Sequence, residues 1–319
     1  MITLETITLG QSSITVPPLC IGTWAWGDKL FWSYGSDYNE KQLKEAFNAA
    51  LEAGTTFFDT AEIYGLGLSE ELLGQFMQQS DRPAIIATKF GPLPWRFTAQ
   101  SVSDAIADSL KRLQVEQVAL YQVHWPFSFL MSQETLMNAL ADEVQRGRIG
   151  AVGVSNYSAQ QMQEAHQILA RRGIPLAVNQ VRYSLLTRQI ESSGITATAK
   201  QLGVTLLAYS PLAQGRLTGK YRPDSSEKPT GARAFDPQFS KAGLEKIVPV
   251  VAVLRKIGDL RDRTPAQVAL NWVIAQGNVV AISGAKTAQQ VQQNAGSLGW
   301  KLNIDEIAEL EQVSRPWLK

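Results

Sequence analysis

Strand-like apolar runs alternate with amphipathic, helically spaced stretches along almost the whole chain, and this alternation limits the possible folds more than any other feature. The runs are Leu19–Gly22, Thr56–Asp59, Ile85–Lys89, Leu120–His124, Ala151–Ser155, Ala177–Gln180, Leu206–Tyr209 and Val279–Ser283. Between them lie Leu43–Ala53, Glu70–Met77, Val102–Leu113, Thr135–Arg146, Gln160–Arg171, Ile195–Leu202 and Ala288–Leu298. Strands that alternate with covering helices pair in parallel, and about eight repeats predict a closed (β/α)8 barrel, an α/β fold of the TIM type.

Local chemistry agrees with that segmentation. Ser132, Ser158 and Thr264-Pro265 stand where helices should start, and Gly54, Gly147 and Gly203 where they should stop. Thr3–Leu9 and Ile14–Val16 flank a turn at Gly10 and read as a hairpin that plugs the barrel bottom. From Ala213 to Phe239 the periodicity lapses. This segment holds Gly215, Gly219, Pro223, Pro229, Gly231 and Pro237, with Arg216, Lys220, Arg222, Lys228 and Arg233 spread through it. It is predicted to be a long loop after the seventh strand, on the end of the barrel where sites of this fold are built. Two further helical segments, Leu244–Ile257 and Ala266–Ile274, precede the last strand.

A chain of 319 residues with 45% hydrophobic content is read as one elaborated domain, residues 1–319, whose core needs no disulfides. The lone Cys20 fits a reducing interior. A net charge of +1 without blocks of like charge gives no basis for nucleic-acid binding. No apolar run approaches the ~18 residues of a membrane span, and Met1–Gly10 does not read as a signal peptide. The expectation is a soluble cytoplasmic protein, or an organellar stromal one if a transit peptide has been removed, acting as a monomer or weak homo-oligomer. Two histidines and one cysteine, without ligand spacing, argue against a catalytic metal.

Three strand ends carry ionisable groups. Phe57-Phe58-Asp59 runs into a polar turn ending in Tyr64, Ile85–Lys89 ends in an ammonium, and Leu120–His124 in an imidazole. Taken singly, Asp59 reads most simply as a helix cap, Tyr64 as a half-buried ring and Lys89 as a surface charge. Together on one rim they suit acid-base chemistry: a carboxylate holds an ammonium, the ammonium lowers a phenol's pKa, and an imidazole offers a hydrogen bond to a substrate oxygen.

The ordered motifs from Leu19 to about Leu310 resemble the aldo-keto reductase superfamily. They are the Asp59–Tyr64 segment, Ala87-Thr88-Lys89, Val123-His124-Trp125, Gly153-Val154-Ser155-Asn156-Tyr157, Asn179-Gln180 and Ala208-Tyr209-Ser210-Pro211-Leu212. Within it, Gly22-Thr23-Trp24-Ala25-Trp26-Gly27, Pro94-Trp95-Arg96 and Gly299-Trp300-Lys301-Leu302 look most like plant pyridoxal reductases and their cyanobacterial-type relatives. The resemblance implies Tyr64 as proton donor, Lys89 lowering its pKa, Asp59 paired with Lys89, and His124 orienting the carbonyl.

It also implies NADP(H). Ser155, Asn156 and Gln180 fall where the family binds the nicotinamide carboxamide, and Tyr209 where a ring stacks on it. Thr23 and Trp24 fall at the cofactor end of the first strand. Ser210, Pro211, Leu212, Gly215, Lys220 and Arg233 are matched to the diphosphate, and Gly284, Lys286, Gln290, Gln293 and Asn294 to the adenosine segment. Lys286 is the candidate for the 2′-phosphate. Gln290 and Gln293 stand where relatives often have Arg and Glu. Trp24, Trp26, Trp32, Tyr34, Trp95, Trp125 and Phe127 fall on or near mouth loops; Trp24, Trp95, Trp125 and Arg96 are the expected substrate contacts. The implied activity is NADPH-dependent reduction of a small aldehyde or ketone, with pyridoxal, aromatic aldehydes and reactive dicarbonyls as candidates. The rival readings are a Schiff-base lyase using Lys89 and a nicotinamide-binding regulatory subunit.

Overall fold

The computed structural model describes residues 5–126, 131–225, 227 and 229–319. Eight parallel strands close into a barrel: β1 (Leu19–Gly22), β2 (Phe57–Asp59), β3 (Ile85–Phe90), β4 (Val118–Val123), β5 (Ile149–Ser155), β6 (Leu176–Arg182), β7 (Thr205–Tyr209) and β8 (Val279–Gly284). Sequential strands are neighbours, and β8 pairs with β1 to close the ring. Each expected run lies within two residues of its strand at both ends.

The helices are α1 (Glu40–Glu52), α2 (Leu68–Gln78), α3 (Ala99–Leu113), α4 (Gln133–Gln145), α5 (Ala159–Ala170), α6 (Gln189–Ser192), α7 (Ile195–Leu202), α8 (Lys241–Glu245), α9 (Val248–Arg261), α10 (Pro265–Ile274), α11 (Ala288–Ala295) and α12 (Ile304–Ser314). Ser132, Ser158 and Thr264 each accept a hydrogen bond from the third amide of their helix. Caps of this kind contribute about 1 kcal/mol each. The single helix expected over Leu244–Ile257 is two, because Pro249 has no N–H to offer the preceding turn. The long loop after β7 is not structureless. It is built from short 3-10 turns at Ala213–Thr218, Gly231–Phe235 and Pro237–Phe239.

Of the expected hairpin, Thr3 and Leu4 lie outside the described residues; Ile7–Thr8 pairs antiparallel with Thr15–Val16. Leu9 and Val16 are fully buried among Cys20, Phe57, Ala87, Leu120 and Leu207, inside the barrel floor. Burying each such side chain is worth ~1.5–3 kcal/mol. Gly10 turns with φ +58°, and a Cβ there would sit 2.6 Å from the Ala177 carbonyl oxygen, so only glycine lets the plug seat.

The barrel interior changes character along its axis. Phe57, Ala87, Leu120 and Val178 belong to the apolar floor. Two residues further on, at the next inward position of each pleated strand, stand Asp59, Lys89, Gln122 and Gln180. An apolar floor thus lies directly beneath a polar layer at the strands' C-terminal ends.

Candidate active site

Asp59 and Lys89 anchor the polar layer. Both side chains are buried, and the Lys89 ammonium donates to Asp59 Oδ2 at 2.5 Å, to the Thr60 carbonyl at 2.8 Å and to Tyr64 Oη at 3.4 Å. All three N–H groups are therefore used. The other oxygen of Asp59, Oδ1, accepts from the side-chain amides of Gln122 at 3.0 Å and Gln180 at 2.8 Å. Asp59 is thus an internal counter-ion and not the helix cap that a lone strand-end Asp suggests. Burial works against the Lys89 charge, but Asp59 and Tyr64 outweigh it and hold the ammonium above its ordinary pKa.

Tyr64 opens a 3-10 turn, half-buried, with the Lys89 ammonium 4.9 Å from its ring centroid. The expected lowering of its pKa needs correction. Burial raises it, Lys89 pulls it down and Asp59 pushes it back up, leaving the phenol above its ordinary value. Such a phenol keeps its proton at neutral pH. Because its oxygen accepts from Lys89, its own O–H is directed elsewhere. His124 packs edge-on against Tyr64 with centroids 5.6 Å apart, and its Nδ1 is buried without a hydrogen-bond partner among the described residues. Burial, then repulsion by Lys89, lowers its pKa to about 3, so the ring is neutral under ordinary conditions.

The polar ends of β5, β6 and β7 form a second connected group. Asn156 Nδ2 donates to the His124 carbonyl at 3.3 Å and to Ser155 Oγ at 3.0 Å, while Asn156 Oδ1 accepts from Tyr209 Oη at 3.0 Å. Ser155 Oγ donates to the Gln180 carbonyl at 3.0 Å. Gln180 Nε2 is taken by Asp59 and Gln122, and its Oε1 accepts no hydrogen bond among the described residues. Asn156, Ser210, Ala213 and Gln214 have positive φ, at 61°, 53°, 48° and 58°. Strained backbone of this kind tends to gather at functional loops.

The expected phosphate-binding residues divide. Arg233 and Lys286 converge on one ring: their charged ends lie 5.1 Å and 5.7 Å from the Trp32 centroid, and Lys286 is 4.3 Å from that of Tyr38. Neither forms an ion pair among the described residues, Arg233 Nε is buried without a partner, and burial followed by Arg233 repulsion lowers the Lys286 pKa. Two mutually repelling cations with an orphaned donor suit an anion of high charge. Lys220, by contrast, is exposed and paired with Glu227 at 3.0 Å, and Lys228 lies outside the described residues. Gln290 Oε1 accepts from the Lys286 amide at 2.7 Å, fixing the turn that presents Lys286. Asn294 is buried beside the Gly284 carbonyl, whereas Gln293 is exposed. Thr23 is fully buried, its hydroxyl tied to the Asp59 carbonyl and Ser69.

Of the aromatics, Trp24 and Trp125 reach the centre: Trp24 lies 6.5 Å from Tyr64 and 5.3 Å from Trp32, and Trp125 lies 4.8 Å from His124. Trp26 packs inward on Phe58 and Phe76 and is no part of the mouth. Tyr34 packs on Tyr38, and Phe127 lies outside the described residues. Trp95 stands 67% exposed on the loop after β3. Beside it, Arg96 grips both oxygens of Glu62 and also donates to the Gly91 carbonyl at 3.0 Å, so its fork is occupied and braces this loop.

Gln122 and Glu62 also hold the site together, Gln122 on Asp59 and Glu62 on Arg96. Gln122 could have been found by its inward register between Leu120 and His124. Room for it comes from Gly153 on the adjacent strand, where a Cβ would meet Gln122 Cγ at 2.9 Å and Val178 Cγ2 at 2.5 Å.

Comparison with known proteins matches residues 18–315 to the Aldo/keto reductase family. The chain is 41% identical to chloroplastic pyridoxal reductase of Arabidopsis thaliana over 95% of its own length and 84% of that protein. Among solved structures it is similar to a glycerol dehydrogenase of Gluconobacter oxydans, with TM-score 0.85, 29% identity and coverage of 98% and 96% of the two chains. An aldo-keto reductase of Klebsiella pneumoniae in complex with NADPH matches with TM-score 0.76, 27% identity and coverage of 98% and 95%. A barrel of this topology and a family match across nearly the whole length lead to one conclusion: the chain belongs to the aldo/keto reductase family and is an oxidoreductase.

Proposed function

We propose that the protein reduces small aldehydes or ketones to alcohols with NADPH and that ring aldehydes such as pyridoxal are its preferred class. The observation that carries this reading is the Lys89 ammonium held between Asp59 and Tyr64 Oη, with neutral His124 packed against the phenol. NADPH, when bound, supplies the hydride. Ser155, Asn156 and the free Oε1 of Gln180 would hold its carboxamide, Tyr209 offers a ring face, and Arg233 with Lys286 would take its 2′-phosphate.

Tyr64 donates the proton that the substrate oxygen needs. Its raised pKa keeps the phenol loaded before reaction, and the Lys89 ammonium stabilises the phenolate left behind. Asp59 balances the Lys89 charge so that the ammonium persists in the barrel interior. His124, neutral, directs an N–H at the same oxygen and fixes its position. Trp24 and Trp125 flank the phenol and imidazole, which favours planar substrates. A Schiff-base role for Lys89 is disfavoured, because its nitrogen has no free lone pair and all three protons are engaged.

The test is a carbonyl panel followed by NADPH oxidation, comparing pyridoxal and substituted benzaldehydes with aliphatic aldehydes, sugars and dicarbonyls. Turnover with ring aldehydes ahead of the others supports the proposal. Cofactor binding without turnover of any carbonyl would remove it and favour a regulatory role.

A further inference from the structure

Two arginines are buried among the described residues, Arg188 at 4% and Arg216 at 5% exposure. Arg188 is fully engaged: Nε and Nη2 donate to the two oxygens of Glu191 at 2.7 Å each, and Nη1 to Ser314 Oγ at 2.8 Å. Arg216 is not. Its one hydrogen bond runs from Nε to the Ala213 carbonyl at 3.2 Å, its guanidinium lies 5.8 Å from the Phe239 ring centroid, and it forms no ion pair among the described residues. Burial and the repulsion of Arg182 push its pKa down to about 10, against a smaller opposing pull from Asp236. A guanidinium drawn this far from water without an ion-pair partner is costly, and a largely buried arginine is ordinarily paired.

A cavity of about 420 Å³ opens beside it. Lys246 adds a second cation to the lining, Pro237, Ile247 and Trp317 give it apolar walls, and no carboxylate lines it among the described residues. None of Asp59, Tyr64, Lys89 and His124 lines it either, nor do Arg233 and Lys286. The terminal nitrogens of Arg216 hydrogen-bond nothing among the described residues and are not shut off from solvent, so an anion entering the cleft can reach them.

We propose that this cleft is an oxyanion-binding site separate from the reductase centre, taking a phosphate or carboxylate carried on a small apolar body. The two terminal nitrogens of the Arg216 fork match a pair of oxygens on such a group. Lys246 supplies charge at the side, and the Trp317 and Ile247 walls accept the body. This assignment stands independently of the carbonyl substrate.

The experiment uses the protein saturated with NADPH, so that the cofactor's own phosphate sites are filled. Inorganic phosphate, phenyl phosphate and benzoate are titrated at constant ionic strength by calorimetry, with melting temperature as a second readout. Wild type is expected to bind, phenyl phosphate at least several-fold more tightly than inorganic phosphate. The stronger of phenyl phosphate and benzoate identifies the headgroup. Arg216→Met should weaken binding at least tenfold, and without anion it should melt no lower than wild type, since an unpaired buried charge has been removed. Ala242→Glu, at an exposed position of the lining, places a carboxylate beside Arg216 and should block binding equally. If Arg216→Met does not fold, Ala242→Glu decides alone. Absence of binding by wild type, or undiminished binding by Ala242→Glu, overturns the proposal.

Discussion

The Asp59–Lys89 layer and the Arg233–Lys286 patch are both charged, and they are built on opposite principles. In the barrel, each charge is desolvated and matched: Lys89 has three acceptors, and Asp59 accepts from three side chains. On the loops, two cations crowd against Trp32 without an ion pair among the described residues, and one depresses the pKa of the other more than Asp37 raises it. A matched layer is complete before any ligand arrives, so its geometry is fixed in advance, which is what positioned proton transfer requires. An unmatched patch is completed by what binds, so its energy appears as affinity.

That contrast can be broken by experiment, and the largest effect is expected in the barrel. Asp59→Asn leaves a buried ammonium without its counter-ion and should lower unfolding free energy by about 3–5 kcal/mol, measured by chemical denaturation. Adding Lys89→Met should restore much of the loss. If Lys286→Ala lowered stability as much, the two regions would not differ in kind.

His124 gives the same layer a pH signature. Its folded pKa of about 3 lies below the ordinary 6.5, so between these values the unfolded chain binds more protons than the folded one. The contribution is present in full above about pH 6.5 and is lost as pH falls toward 3. His124→Gln should remove this acid-sensitive component, on the order of 2–3 kcal/mol after allowing for the ring's partial exposure. Stability curves of wild type and variant that stay parallel between pH 7 and 4 would contradict the buried neutral imidazole.

The loop patch should respond in affinity. Lys286→Ala is expected to weaken NADPH by about 1.5–3 kcal/mol, the scale of a charge-assisted hydrogen bond, and to leave NADH nearly unchanged. Equal losses for both would mean that Lys286 does not meet the 2′-phosphate. The smallest effect concerns the aromatic wall. Trp24→Ala, next to Tyr64, should reduce the kcat/KM preference for ring over aliphatic aldehydes by ~0.5–1.5 kcal/mol, and exposed Trp95→Ala by less. The reverse order would move the substrate ring out toward the loop after β3.

How legible these regions were follows from range along the chain. The barrel strands were readable because each carries its own period and its own punctuation. The turn inside Leu244–Ile257 was signalled by Pro249 but hidden by a helical pattern that continues on both sides. Within the site, Asp59, Tyr64, Lys89 and His124 stand at strand ends and could be named. Gln122 stands inside a strand, where its inward register between Leu120 and His124 is the one signal, and that register gains meaning only when the closed barrel brings Asp59 and Gln180 to it. Arg96 reads as a substrate contact from the sequence because Glu62, which occupies its fork, lies 34 residues away. The net direction of the Tyr64 pKa was also out of reach: the sequence names the ammonium beside it but not the burial that outweighs it.

The central claim is that the phenol of Tyr64 supplies the proton while the rest of the site binds and orients. Tyr64→Phe keeps the ring and deletes that one group. The decisive measurement is kcat for reduction of pyridoxal, or of the best carbonyl found, in Tyr64→Phe and wild type at pH 7, with the NADPH dissociation constant of each. The account predicts a fall in kcat of about 10²–10⁴-fold with cofactor affinity nearly unchanged; a variant that keeps more than a tenth of wild-type turnover would contradict it.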